Sequence, residues 1–154
     1  MVHLTNIPLV LSSLTFVIPY FAAIETHNPY SAVCWGALTC TSTFVHITKR
    51  PHHIYGPGNC IPCLYAMDIL ALYFAVIRAL VDGYFGGIVG LLMSCTIVTY
   101  AGFVFYVGRY LDKFVFDKYV DMSILSHVSV HLLASFGGTA VIYLRAFKNG
   151  LENS

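Results

Sequence analysis

The sequence predicts an all-α protein: an integral membrane bundle of about five transmembrane helices, forming a single transmembrane helical domain over residues 1–154. Three observations carry this. Of the residues, 58% are hydrophobic and only 10% charged, whereas a soluble domain carries about a quarter charged residues. The apolar residues gather into stretches close to the roughly 20 residues that a helix needs to cross about 30 Å of hydrocarbon. The connections between stretches are short, with no repeat, low-complexity tract or long linker. The formal net charge of +1 argues against a nucleic-acid partner.

The first span is placed at Leu4–Ile24. Pro8 and Pro19 bracket it without abolishing it, because neighbours in a membrane can satisfy freed carbonyls. Met1–Asn6 contains no Lys or Arg, so the segment lacks the basic start of a signal peptide and reads as a retained helix. Tyr30–Thr48 is the least apolar, with Ser, Thr and Cys throughout Ser31–Thr43, and is expected to face other helices. Ile61–Val81 carries Asp68, and Arg78 and Asp82 lie near its end. The Asp82–Gly83 junction then forces an antiparallel hairpin into Gly83–Tyr110, which is long enough to tilt. Gly86 and Gly90 form a GxxxG step suited to close helix approach. Arg109–Asp121 alternates charges and reads as an amphipathic surface loop or helix extension. The last span is Met122–Phe147.

Five spans place the termini on opposite sides. The N-terminal side receives Lys49, Arg50, Arg109, Lys113 and Lys118, and the other receives Arg78, Arg145 and Lys148. The basic excess makes the N-terminal side cytoplasmic. The five cysteines, an odd number, form no disulfide framework. Cys34, Cys40 and Cys95 lie in spans and act as small apolar residues.

Polar groups inside membrane segments are costly and mark function. Ser42 and His46 lie four apart in the last turns of the second span, Asp68 about two turns into the third, and His127 and His131 four apart early in the last. The path of the chain brings all of them to a similar depth in one leaflet. Residues four apart share a helix face, so His127 and His131 can take one ion from adjacent turns. Three histidines plus water satisfy a catalytic zinc site. Asp68 is then placed to orient that water or accept its proton, and Ser42 to hydrogen-bond an oxyanion. Taken singly, each has a plainer role: a His pair bonding neighbouring helices, Ser42 in packing, Asp68 paired with Arg78.

In these residues the chain resembles the CREST superfamily, which includes alkaline ceramidases, the progestin and adipoQ receptors and hemolysin III-like proteins. The shared signature reads here Ser42-Thr43-Phe44-Val45-His46, then Ala66-Met67-Asp68, then His127-Val128-Ser129-Val130-His131. The resemblance implies zinc on His46, His127 and His131, with Asp68 and Ser42 beside the metal-bound water. It also implies hydrolysis of a lipid amide, ceramide being the best-known substrate. The family core has seven helices against five here, so this is a shortened version in which neighbouring subunits could complete the cavity wall.

Partners implied are membrane lipids, with a sphingolipid or acyl-lipid substrate, and either a homo-oligomer or a larger membrane complex. Two other classes remain open: a haem-binding membrane subunit with His46 and one of His127 or His131 as axial ligands, and a non-catalytic structural or receptor-like subunit. Outside the main pattern, Cys60-Ile61-Pro62-Cys63 with His52 and His53 can be read as a structural zinc site, a redox pair or an ordinary Pro- and Gly-rich turn. Lys49 and Arg50 lie where anionic headgroups sit. Tyr100, Tyr106 and Tyr110 suit either a substrate pocket or packing.

Overall fold

Pro19 divides the first span in two. It has no N–H to offer the Thr15 carbonyl, and that carbonyl instead accepts from Ile18 N at 3.0 Å. The result is a tight turn at Thr15–Phe16 between α1 (Ile7–Leu14) and α2 (Val17–Glu25). In the computed structural model, residues 6–48, 62–116 and 119–152 are described, and among them there are helices and turns but no strand. His27 takes a left-handed φ of 53° at the turn out of α2. Asn28 then caps α3 (Pro29–Thr48), its Oδ1 accepting from Ser31 N at 3.3 Å. With Pro at its first position, α3 begins in the way helices favour.

The next hairpin turns later than the sequence suggests. The helix α4 (Pro62–Phe85) runs straight through Asp82–Gly83, and the chain reverses at Gly86–Gly87, where Gly87 adopts φ 81°. The carboxylate of Asp82 is held by Arg78 one turn earlier, 2.7 Å away, which supports continued helix past the expected boundary. The following helix α5 (Gly87–Gly102) passes into a π-helical turn at Phe103–Val107 and a short α6 (Gly108–Leu111). A 3-10 turn at Phe114–Phe116 precedes α7 (Val120–Glu152), the longest helix at 33 residues. The stretch read as an amphipathic surface segment is therefore partly folded inward. Val115 is wholly buried, and the Ser123 hydroxyl donates to its carbonyl at 2.5 Å. Phe114 reaches this position with a φ of 56°, an unusual conformation for a bulky residue.

At about 50 Å, α7 is the axis of the bundle, packed by α1, α2, α4 and α5, while α3 lies between the α1–α2 pair and α4. The apolar centre is built from Phe16, Trp35, Leu38, Ala75 and Ile142. A Cβ on Gly138 would stand 2.5 Å from the Trp35 ring, so glycine there sets how closely α7 can approach α3.

Polarity is distributed opposite to that of a water-soluble protein. Ser13, Ser31, Ser94, Ser123, Ser135 and Asp82 are fully buried, whereas Phe21, Val33, Ile88 and Phe136 face outward. That is the arrangement for a lipid solvent. Ile7–Glu25, Cys63–Phe85, Gly87–Leu111 and Asp121–Leu151 are long and apolar enough to cross a membrane. The remaining expected span, α3, has the length at 20 residues but is more polar, because its Ser31, Ser42 and His46 point into the bundle. The protein is an all-α membrane bundle, compatible with multiple passes.

The GxxxG step works differently from its simplest reading. Gly90 packs against Gly83 across the α4–α5 hairpin, and Gly86 sits in the turn near the Arg145 backbone. A Cβ on Gly83 would lie 2.7 Å from the Gly90 carbonyl and overlap the Ser94 hydroxyl. Backbone cannot yield as a side-chain tip can, so Gly83→Ala is expected to destabilise the hairpin by about 1–3 kcal/mol. Thermal unfolding of the detergent-solubilised variant checks this; an unchanged melting temperature would mean that the helices separate freely.

Candidate metal centre

Two helices supply the imidazoles. His46 lies in the last turn of α3, and its position there follows from the 20-residue length of that helix. His127 and His131 occupy successive turns of α7 and so share one face. All three are buried, with exposures of 2%, 5% and 5%. Their ligand-capable atoms lie within 4.8 Å of one another, and they form the metal-capable group found among the described residues. Ring centroids are 4.9 Å apart for His46 and His127, 5.4 Å for His46 and His131, and 4.4 Å for His127 and His131. Neutral imidazoles are good ligands for zinc and related ions. A tetrahedral zinc sphere sets imidazole nitrogens about 3.3 Å apart, so small side-chain rotations would close the group around an ion. The edge-to-face contact of His46 with His127 leaves no space between those rings for a macrocycle, which favours a small cation over haem.

The first helix contributes what the sequence reading missed. Ser12 is buried, and its hydroxyl donates to the Leu9 carbonyl at 3.0 Å. The same oxygen lies 2.9 Å from His131 Nδ1. A hydroxyl has one proton and can also accept, so with its proton on Leu9 the Ser12 oxygen is able to receive Nδ1–H of His131. The Nε2 lone pair of His131 is then left for a metal, the arrangement by which outer hydrogen bonds fix a ligating histidine. Ser13 also reaches Leu9, its hydroxyl 2.7 Å from that carbonyl, and lies 3.3 Å from the Ser42 hydroxyl. The adjacent Ser12-Ser13 in an otherwise apolar span was the available signal. It became interpretable only once the break before Pro19 brought α1 onto α7.

Aromatic rings enclose the imidazoles. Phe16, in the α1–α2 turn, lies 5.0 Å from His131, and Phe105, in the π-helical turn, meets His127 edge-on at 5.4 Å. A π turn widens the helix by one residue, and such turns are frequent at functional sites. Val104, Val115 and Val130 pack beneath this turn as a second apolar cluster.

The remaining expected site residues lie at the edge. Ser42 is buried beside Ser13. Asp68 is half-buried and accepts from Thr41 Oγ1 at 3.0 Å, at the height of Ser42 but around the side of α3. It does not belong to the group of metal-capable atoms formed by the histidines. Arg78 pairs with Asp82. Tyr106 and Tyr110 are 68% and 74% exposed and stack on each other, so they face outward and not into a pocket. Tyr100 bonds Ser129 at 2.7 Å. Cys34, Cys40, Cys63 and Cys95 are free thiols. His52, His53 and Cys60, with Lys49 and Arg50, lie outside the described residues.

Comparison of the chain with protein-family models, with curated proteins and with solved structures gives no match.

Proposed function

We propose that the chain is a zinc-dependent intramembrane lipid hydrolase of the ceramidase-like kind, acting on an amide or ester. One observation carries this reading: three buried imidazoles from two membrane helices converge to within 4.8 Å. Buried imidazoles clustered without function would be an expensive use of a membrane interior.

His46, His127 and His131 would hold the ion. When bound, zinc supplies a Lewis acid that polarises an acyl carbonyl and makes water acidic near neutral pH. The protein's own groups do the rest. Ser12, accepting from Nδ1–H, would hold His131 in the tautomer that presents Nε2. Asp68 takes a proton from the attacking water and returns it to the leaving nitrogen or oxygen as the acyl bond breaks. Ser42, buried beside Ser13, would hydrogen-bond the developing oxyanion. Phe16 and Phe105 limit water around the imidazoles. The N-terminal side is taken as cytoplasmic, and the substrate as a sphingolipid or another acyl lipid.

A second reading, a non-catalytic membrane subunit with zinc as scaffold, needs only the three clustered histidines and no general base. Metal analysis of the purified chain together with fatty-acid release from ceramide and an ester lipid separates the two. About one zinc per chain with turnover supports the hydrolase. Zinc without turnover selects the scaffold, and zinc-free protein rejects both.

The serine contact gives a finer prediction. Ser12→Ala is expected to weaken zinc binding about 10–100-fold, measured by chelator competition, while Thr15→Val, one turn on, keeps the affinity. Equal affinities in Ser12→Ala and the parent chain would show that His131 needs no help from α1.

A further inference from the structure

The end of the bundle away from the histidines holds a second buried polar group. Asp82, wholly buried, receives Arg78 at 2.7 Å, Asn28 Nδ2 at 3.2 Å, the Ser31 hydroxyl and Arg145. Two guanidiniums meet one carboxylate, which leaves an excess of one positive charge. Arg78 is the more heavily engaged, with Nε on Ser31 at 2.8 Å, Nη2 on Asn28 at 3.0 Å and on Asp82, and its plane over Tyr30. Arg145 is less so. Among the described residues its contacts are one nitrogen on Asp82 and its face over Phe85. A guanidinium has five N–H donors.

Arg145 also borders a cleft of about 210 Å³ between the α2–α3 turn and the end of α7. Its polar lining comes from Thr26, His27, Asn28, Arg145 and Asn149. The volume and polar walls suit a headgroup-sized ion and not an acyl chain. Among the described residues no carboxylate lines it. The nearby Glu25 is turned to Tyr143, accepting its hydroxyl at 2.5 Å.

We infer that this cleft binds a phosphate group, held by the fork of Arg145, from either a membrane phospholipid or a soluble ion. Phosphate is the chemistry that a guanidinium fork matches with paired hydrogen bonds. It also supplies the counter-charge that the Arg78–Asp82–Arg145 cluster lacks. The site is independent of the histidines. On α3, Ser31 and His46 are 15 residues apart, about 22 Å along the helix.

Native mass spectrometry of the full chain from detergent micelles tests this, with phosphatidic acid, diacylglycerol of the same chains, and inorganic phosphate as probes. Phosphatidic acid is expected to be retained at least about tenfold better than diacylglycerol. Because Arg145→Gln also disturbs Asp82, a second variant is needed. His27→Asp puts a carboxylate on the cleft wall without touching the Asp82 network, and Asp tolerates the left-handed backbone there. Both variants are expected to lose retention by at least about tenfold, His27→Asp with an unchanged melting temperature. Displacement of the lipid by inorganic phosphate identifies a soluble-ion source, and no displacement identifies the lipid; either supports the site. Equal retention of the two lipids without phosphate binding, or undiminished binding in a folded His27→Asp, overturns it.

Discussion

His46→Ala is expected to reduce zinc binding by more than about a hundredfold. Structural zinc is worth about 10–16 kcal/mol over a full ligand set, so each ligand accounts for roughly 3–4 kcal/mol, and about 1.4 kcal/mol is tenfold. Position matters as much as number. His127 and His131 share one helix, whereas His46 is the ligand that ties α3 to α7. Its removal leaves two imidazoles on adjacent turns with no donor across the interface. The measurement is zinc per chain after dialysis at fixed free zinc. The change also opens a small buried hole, so the comparison should include His46→Gln, which keeps most of the volume without the imidazole. Both variants should lose zinc together. Chelation should lower the melting temperature of the parent chain, because a ligand bound only to the folded form stabilises it, and should leave His46→Ala unmoved. Zinc retained at full occupancy in both variants would remove His46 from the site and with it the cross-helix metal reading.

Asp82→Asn is expected to be the most destabilising single substitution in the opposite half of the bundle, by about 3–5 kcal/mol. Asp82 is 0% exposed, and Arg78, Arg145, Asn28 and Ser31 all converge on it. Loss of its charge leaves two guanidiniums facing each other in a low-dielectric interior. The penalty comes from the uncompensated cations, more than from the hydrogen bonds removed. A triple variant, Asp82→Leu with Arg78→Met and Arg145→Met, removes all three charges and should recover most of the melting temperature, because apolar replacement of a whole buried ion cluster is often neutral. If Asp82→Asn unfolds at the same temperature as the parent chain, the cluster contributes nothing to stability.

The histidine triad was legible in the sequence because helical spacing and span parity are local rules that need no tertiary information. His127 and His131 share a face by periodicity, and counting spans sufficed to place His46 at their depth. Other features depended on contacts that periodicity does not contain. Ser12 and Ser13 looked like ordinary small residues until α1 was seen against α7. The hairpin boundary was placed at the Asp82–Gly83 junction between two apolar runs, yet Gly83 is in mid-helix, where α5 approaches too closely for a side chain. Asn28, Ser31, Asp82 and Arg145 come from three helices and share no spacing, so their convergence could not be read from the chain. The outward positions of Tyr106, inside the π-helical turn, and Tyr110, just after it, go with a shift of helical phase by one residue that an uninterrupted α-helical reading does not contain.

The two polar layers have matched separations. Ser31 and His46 are 15 residues apart on α3, and His131 and Arg145 are 14 apart on α7, about 21–22 Å in each case. Lipid supplies little hydrophobic preference for one helix register over another. A slip of α3 along α7 by one turn, about 5.4 Å, would therefore disengage both layers at once, like two teeth cut on one ratchet. Axial alignment is thereby fixed at two levels, with the close fit of Gly138 to Trp35 between them.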